Sequence, residues 1–220
     1  MTDKKEYKVF DRFLNIDLHR LTEYLESKHL QILTNTLVEE NELTDLLVKK
    51  YDKNGNASMM LNQKYNIFKF ENEDIKEIYY SLMDCVKEAS SYYGYEFDSM
   101  NYMVRGWFNH EMKSTTTTFD PLTNSRLFHD HLGGHGAPDF HGYYSVNAEP
   151  SSTYYKVNKD NIFENKNVNN RLVVIENGYP HSRGIWNEDS FRITIAYDVV
   201  PFQRLVEQGI EKKPHWMQFK

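Results

Sequence analysis

The sequence predicts an α+β, mainly β chain in which leading helices flank a sheet-rich second half. Apolar residues recur at helical spacing before about residue 95 and at strand spacing after it. Clusters of Asn, Gly, Pro and Ser cut the second half into short segments, the pattern of a sandwich, jelly roll or barrel. The 220 residues, with 16 Tyr and 13 Phe against 10 Gly and 6 Pro, suffice to bury one good core. The expected organisation is a single domain over 1–220, with a mostly helical flank (1–94), a β core (95–202) and a C-terminal tail (203–220).

Taken in order, the stretch from Asp17 to Tyr51 carries Leu18, Leu21, Leu25, Leu33, Leu37, Leu43, Leu46 and Leu47, as two helices or one broken helix. Asp52-Lys53-Asn54-Gly55-Asn56 is a turn. Its glycine is not at the sixth loop position and no glutamate stands at the twelfth, which argues against a calcium loop. Ile75, Ile78, Leu82, Cys85, Val86 and Ala89 form one stripe of an amphipathic helix, capped by Asn72 and closed by Gly94. Strands are expected at Tyr102 to Phe108, Leu127 to Leu132, Phe140 to Asn147, Thr153 to Val157, Arg171 to Glu176 and Phe191 to Val200. A short helix is expected at Gln203 to Gln208, closed by Gly209.

Charge and composition narrow the function classes. A net charge of −6 argues against binding nucleic acid through bulk electrostatics. One cysteine, Cys85, excludes an internal disulfide framework and fits a reducing compartment. The first residues are charged and lead into no apolar signal region, and no apolar run approaches the about eighteen residues of a membrane span. The expectation is a soluble, cytoplasmic protein with a small-molecule or peptide partner; its oligomeric state is not legible.

Five of the nine histidines fall between positions 110 and 141. His129 and His131 share one face if Leu127 to Leu132 is a strand, because side chains alternate with period two. Two same-face imidazoles among Leu127, Phe128 and Leu132 call for a common partner, since burying polar groups alone is costly. With a third imidazole, His181, they would hold a divalent metal from one side and leave the other open. On the last strand Arg192, Thr194, Ala196 and Asp198 share the face opposite Phe191, Ile193, Ile195, Tyr197 and Val199. Arg192 and Thr194 together offer a fork and a further donor to a carboxylate. The blander alternative pairs Arg192 with Asp189 or Glu176 at the surface. His19, His29 and His215 read as ordinary surface or core histidines; His110, His135 and His141 are left undecided. Trp107, Asn109, His110 and Trp186 are candidates for the rim of a pocket. Tyr143, Tyr144, Tyr154, Tyr155 and Tyr179 suit either ligand stacking or a plain aromatic core.

His129-x-His131, the segment Phe140-His141-Gly142-Tyr143-Tyr144-Ser145-Val146-Asn147, Pro180-His181, and Arg192-x-Thr194 eleven residues after that histidine follow in a fixed order. This order resembles the Fe(II)- and 2-oxoglutarate-dependent oxygenase superfamily, over residues 100 to 200. The resemblance implies a double-stranded β-helix (a jelly-roll, cupin-like fold) with flanking helices. It implies that His129 and His181 hold iron, and that Arg192, with Thr194, grips the distal carboxylate of 2-oxoglutarate. Decarboxylation of the keto acid to succinate would then drive hydroxylation of a substrate C–H bond.

One departure from the family pattern is evident: most members carry Asp or Glu where His131 stands. His131 is expected to ligate as a third histidine, with Asp139 the alternative carboxylate. A register of His131-Leu132-Gly133, as in iron halogenases, would leave His129 idle. Two further readings stay open: a three-histidine cupin-type dioxygenase that does not use 2-oxoglutarate, and a non-catalytic jelly-roll binding or structural protein.

Overall fold

The computed structural model describes residues 6–40, 57–113, 121–122, 127–130, 140–158, 160–207 and 209–220. Nine strands are seen among them: β1 (Val9–Phe13), β2 (Tyr102–Glu111), β3 (Phe140–Asn147), β4 (Ser152–Lys156), β5 (Ile162–Lys166), β6 (Arg171–Glu176), β7 (His181–Arg183), β8 (Arg192–Pro201) and β9 (Met217–Gln218). They form a six-stranded sheet in the order β1-β6-β3-β8-β2-β9 and a three-stranded sheet in the order β5-β4-β7. Every pairing is antiparallel. The helices are α1 (Leu18–Glu40), α2 (Ala57–Met60), α3 (Glu73–Tyr93) and α4 (Phe202–Glu207). A mixed, mainly antiparallel β architecture with helices ahead of it is therefore present.

Helix α3 follows directly from its sequence. The Asn72 side chain accepts from the Ile75 N–H at 3.0 Å, and Glu73 and Asp74 place negative charge at the positive end of the helix dipole. The helix stops at Gly94, whose φ of 78° a glycine adopts without a Cβ penalty. Its stripe of Ile75, Ile78, Leu82, Cys85, Val86 and Ala89 is buried. It packs into a core with one face of the large sheet: Tyr102, Val104 and Phe108 of β2, Tyr144 and Val146 of β3, and Ile193, Ile195, Tyr197 and Val199 of β8.

The other face of the large sheet looks toward the small one. The two meet in a cluster of Tyr143, Tyr155, Val173, Ile175 and Tyr179. A hydrogen bond of 2.8 Å from Asn165 Nδ2 on β5 to the Tyr143 hydroxyl ties them together. Gly142 sits where β3, β6 and β8 run side by side: a Cβ there would lie 1.8 Å from the Val173 carbonyl oxygen and 2.8 Å from the Tyr197 ring, so no larger residue fits.

Several elements differ from the sequence expectation. β1 adds a strand within the mostly helical flank, and β9 pairs with β2 in what reads as a tail; Phe219 beside it is fully buried. Helix α1 ends the described part of its segment at Glu40, and the expected turn at 52–56 lies outside the described residues. No strand runs through 127–130; His129 alone makes an isolated bridge, and 131–132 lie outside the described residues. No described helix is long and apolar enough to cross a membrane.

Candidate active site

Between the two sheets lies a cavity of about 490 Å³. Its floor is the face of the large sheet opposite the core, and its roof comes from β4 and β7. In the β2–β8 ladder Glu111 lies opposite Arg192, Asn109 opposite Thr194, Trp107 opposite Ala196 and Arg105 opposite Asp198. Directly opposed residues on one face of an antiparallel pair are contact partners, and three of these pairs are polar. The expected face of β8 thus lines the cavity through Arg192, Thr194 and Ala196.

One end of the cavity is made of rings. His129 and His181 exchange both backbone hydrogen bonds, 3.0 Å from the His129 N–H and 2.7 Å from the His181 N–H. That bridge brings their ring centroids to 4.5 Å. His141 on β3 is buried and stacks on His181 at 4.6 Å with the planes 18° apart. Tyr155 packs against both, at 5.6 Å from His181 and 5.8 Å from His141. Burial pushes the Tyr143 phenol up and holds the Tyr155 phenol well above its ordinary value, so both stay neutral donors or acceptors here.

The other end is made of charge. Arg192 is buried; its Nη1 donates to Glu111 Oε2 at 3.0 Å and its Nε to the Ser151 hydroxyl at 3.1 Å. Glu111 Oε1 meets Arg183 Nε, also at 3.0 Å. Asn109 Nδ2 donates to Thr194 Oγ1 at 3.0 Å. Nearby, Arg105 pairs with the fully buried Asp198 at 2.5 Å and lies over the Trp107 ring at 5.3 Å and the Trp216 ring at 5.2 Å.

His129, His181, Arg192 and Thr194 therefore line one cavity. His131, Asp139, His135 and the His131-Leu132-Gly133 register lie outside the described residues. The burial argument for His129 does not hold, because the residue is exposed. Arg192 is paired with buried Glu111 and not with Asp189 or Glu176. Of the proposed rim, Trp107 and Asn109 line the cavity. His110 instead points to the core side, stacked on Phe191 at 3.9 Å, and Trp186 is buried and donates to the Ser190 carbonyl. Glu111, Arg183 and Ser151 were missed. Glu111 was legible: extending β2 three residues past Phe108 puts it on the face of Arg105, Trp107 and Asn109. Among the described residues, no three His, Cys, Asp or Glu side chains form a ready-made metal-binding group. The described metal donors at the ring end are imidazoles, which suit iron as they suit zinc, copper and nickel, and the bridge delivers two of them together.

No family model matches the sequence, and no curated protein matches it. Among solved structures, the chain is similar to a prolyl hydroxylase from Trichoplax adhaerens in complex with a hypoxia inducible factor peptide fragment. The identity is 11%, the match covers 91% of this chain and 86% of that one, and the TM-score is 0.49. It is also similar to a 2OG-Fe(II) oxygenase family oxidoreductase from Burkholderia pseudomallei, at 10% identity over 52% of this chain and 50% of that chain, with a TM-score of 0.36. A third is the dioxygenase for auxin oxidation 1 from Arabidopsis thaliana bound to 2-oxoglutarate, at 14% identity, 59% and 50% coverage and a TM-score of 0.42. These neighbours are members of the 2OG-Fe(II) oxygenase family. The match spans about half the length of the oxidoreductase and of the auxin dioxygenase.

Proposed function

We propose that this chain is an Fe(II)- and 2-oxoglutarate-dependent oxygenase of double-stranded β-helix fold that hydroxylates a C–H bond of a peptide or small molecule. The supporting observation is one cavity with an imidazole pair at one end and a buried arginine–threonine pair at the other. His129 and His181 would hold the iron, with His131 the expected third ligand. Once bound, iron and the keto acid supply the oxidising chemistry. The chain's own part is to orient and enclose. Arg192 offers its fork to the far carboxylate, Thr194 adds a hydroxyl that Asn109 orients, and β4 and β7 roof the reactants against water.

Anaerobic titration with Fe(II) and then 2-oxoglutarate tests the reading through the visible charge-transfer band of the chelated keto acid. The band should appear in wild type, vanish in His181→Ala and weaken in Arg192→Ala. Its absence in an iron-loaded protein favours a second reading, a three-histidine dioxygenase that takes its substrate directly. His141 is the observation behind that alternative, since it brings a third imidazole to the ring end. Failure to bind iron at all would leave a jelly-roll binding protein.

A further inference from the structure

On the cavity face of the large sheet, Arg105 from β2 and His141 from β3 flank Asp198, so Arg105 stands across one strand from the rings. Its surroundings are drawn together by Asn66, which is buried. The Asn66 side chain donates to the Val104 carbonyl at 3.0 Å and the His215 carbonyl at 2.9 Å, and accepts from the Gly106 N–H at 3.2 Å. One side chain thus fixes the backbone on both sides of Arg105 and the tail that carries Trp216. His215 Nδ1, 3.1 Å from the Gln63 carbonyl oxygen, holds the turn bearing Asn62 to the same tail. The Arg105 guanidinium lies over both the Trp107 and the Trp216 rings, and Asp198 takes its Nε–Nη2 edge at 2.7 and 2.5 Å. The other edge, Nη1 with the second Nη2 hydrogen, has no hydrogen-bond partner among the described residues. Arg105 nevertheless lines the cavity, with 25% of its side chain exposed. Asn62, half-buried, lines it too, and its side-chain amide makes no hydrogen bond among the described residues.

We propose that Arg105, Asn62 and Trp107 form a seat for an uncharged amide of the substrate, such as a backbone amide of a peptide. In calling the bound molecule a substrate, this rests on the oxygenase reading. Arg105 donates its open edge to the amide carbonyl, the Asn62 side-chain oxygen accepts from the amide N–H, and the Trp107 ring walls the amide plane. An uncharged carbonyl takes those N–H groups without setting a second anion against the buried Asp198, which a carboxylate would do. Arg105 and Asn62 are then specificity-determining residues. They hold the substrate away from its reacting carbon and select which molecule is presented to the ring end.

The test is a tryptophan-fluorescence titration of the whole metal-free chain, since two of its three tryptophans flank Arg105. The probes are benzamide and benzoate, the same ring bearing an amide or a carboxylate. Glutarate, the dicarboxylate that lacks the keto group of 2-oxoglutarate, is present throughout to fill the Arg192 seat. Wild type should respond saturably to benzamide and bind it about tenfold more tightly than benzoate. Arg105→Lys keeps a cation for Asp198 and loses the open edge, so it should bind benzamide about tenfold more weakly than wild type. Asn62→Leu, which keeps the volume, should bind it about fivefold more weakly. A merely structural Arg105 would change the unfolding midpoint and leave the two probes equal. The seat is overturned by a response to benzamide that does not saturate, by benzoate binding as tightly, or by a folded Arg105→Lys that keeps its benzamide affinity. Should Arg105→Lys fail to fold, unchanged affinity in Asn62→Leu overturns it. If the ranking holds while Fe(II) and 2-oxoglutarate give no charge-transfer band, the amide seat stands and the oxygenase reading falls. If the band appears while the ranking is flat, the oxygenase reading stands and the seat falls.

Discussion

The two ends of the cavity are built from different materials. At the ring end His181 and His129 are carried by a three-residue strand and a single isolated bridge, with His129 exposed, while His141 and Tyr155 beside them are buried on β3 and β4. The charged end is carried mainly by β2 and β8, neighbours inside the large sheet paired over ten residues, and its Arg192 is deeply buried. Removing the His129 or His181 ring therefore takes little from the packing, whereas removing the Arg192 charge leaves its partner Glu111 inside the protein. The difference separates residues that chemistry requires from residues that the fold also requires.

His181→Ala should break the comparison most strongly in activity. Succinate formation should fall by more than the roughly 10–100-fold typical of losing an outer-shell partner of a metal. The urea unfolding midpoint should stay near that of wild type, because the side chain is only half-buried. Arg192→Met should do both kinds of damage. It abolishes the carboxylate seat and takes from buried Glu111 one of its charged hydrogen bonds, at a cost of about 2 kcal/mol in unfolding free energy. If Arg192→Met proved as stable as His181→Ala, the charged end would not be structural in the sense argued here.

The same contrast governs what could be read in the sequence. The stripe of α3 and the two faces of β8 follow from periodicity alone, because each is long enough for 3.6 or 2 to repeat several times. β5 and β7 escaped notice: Ile162–Lys166 is an exposed edge strand, and His181–Arg183 is too short and polar to show alternation. Asn109 and Glu111 extend β2 past the apolar run that ends at Phe108, and their polarity comes from facing a charged cavity, while His110 between them turns to the core side. The bridge between His129 and His181 joins residues that no local pattern connects. His141 shares its strand face with Tyr143, and its approach to His181 depends on how the small sheet closes over the large one.

A smaller effect sharpens the charged end. The Ser151 hydroxyl accepts from Arg192 Nε and from Asn167 Nδ2 at 2.9 Å, and donates to the Ala148 carbonyl at 2.6 Å. Ser151→Ala should cost about 1.5 kcal/mol of stability, the range for a buried hydrogen bond to a charged group. It should also weaken glutarate binding by loosening the guanidinium, and calorimetry reads this beside the urea midpoint.

The smallest predicted effect concerns a charge that neither end uses directly. His215 is buried, its Nδ1 lies 3.1 Å from the Gln63 carbonyl oxygen, and its pKa lies below the usual histidine value. Burial is the main cause, followed by the Arg105 guanidinium, with Lys213 and Lys69 adding to it. A folded-state pKa below the unfolded one means that the unfolded chain takes up the proton first as pH falls. The neutral ring's contribution is thus complete above the unfolded value of about 6.5 and is lost as pH drops from there through the folded value. Urea midpoints at pH 7.5 and 5.5 should fall further in wild type than in His215→Asn, which has nothing to titrate in that window. An equal fall in the two proteins would mean that His215 contributes nothing to the acid sensitivity.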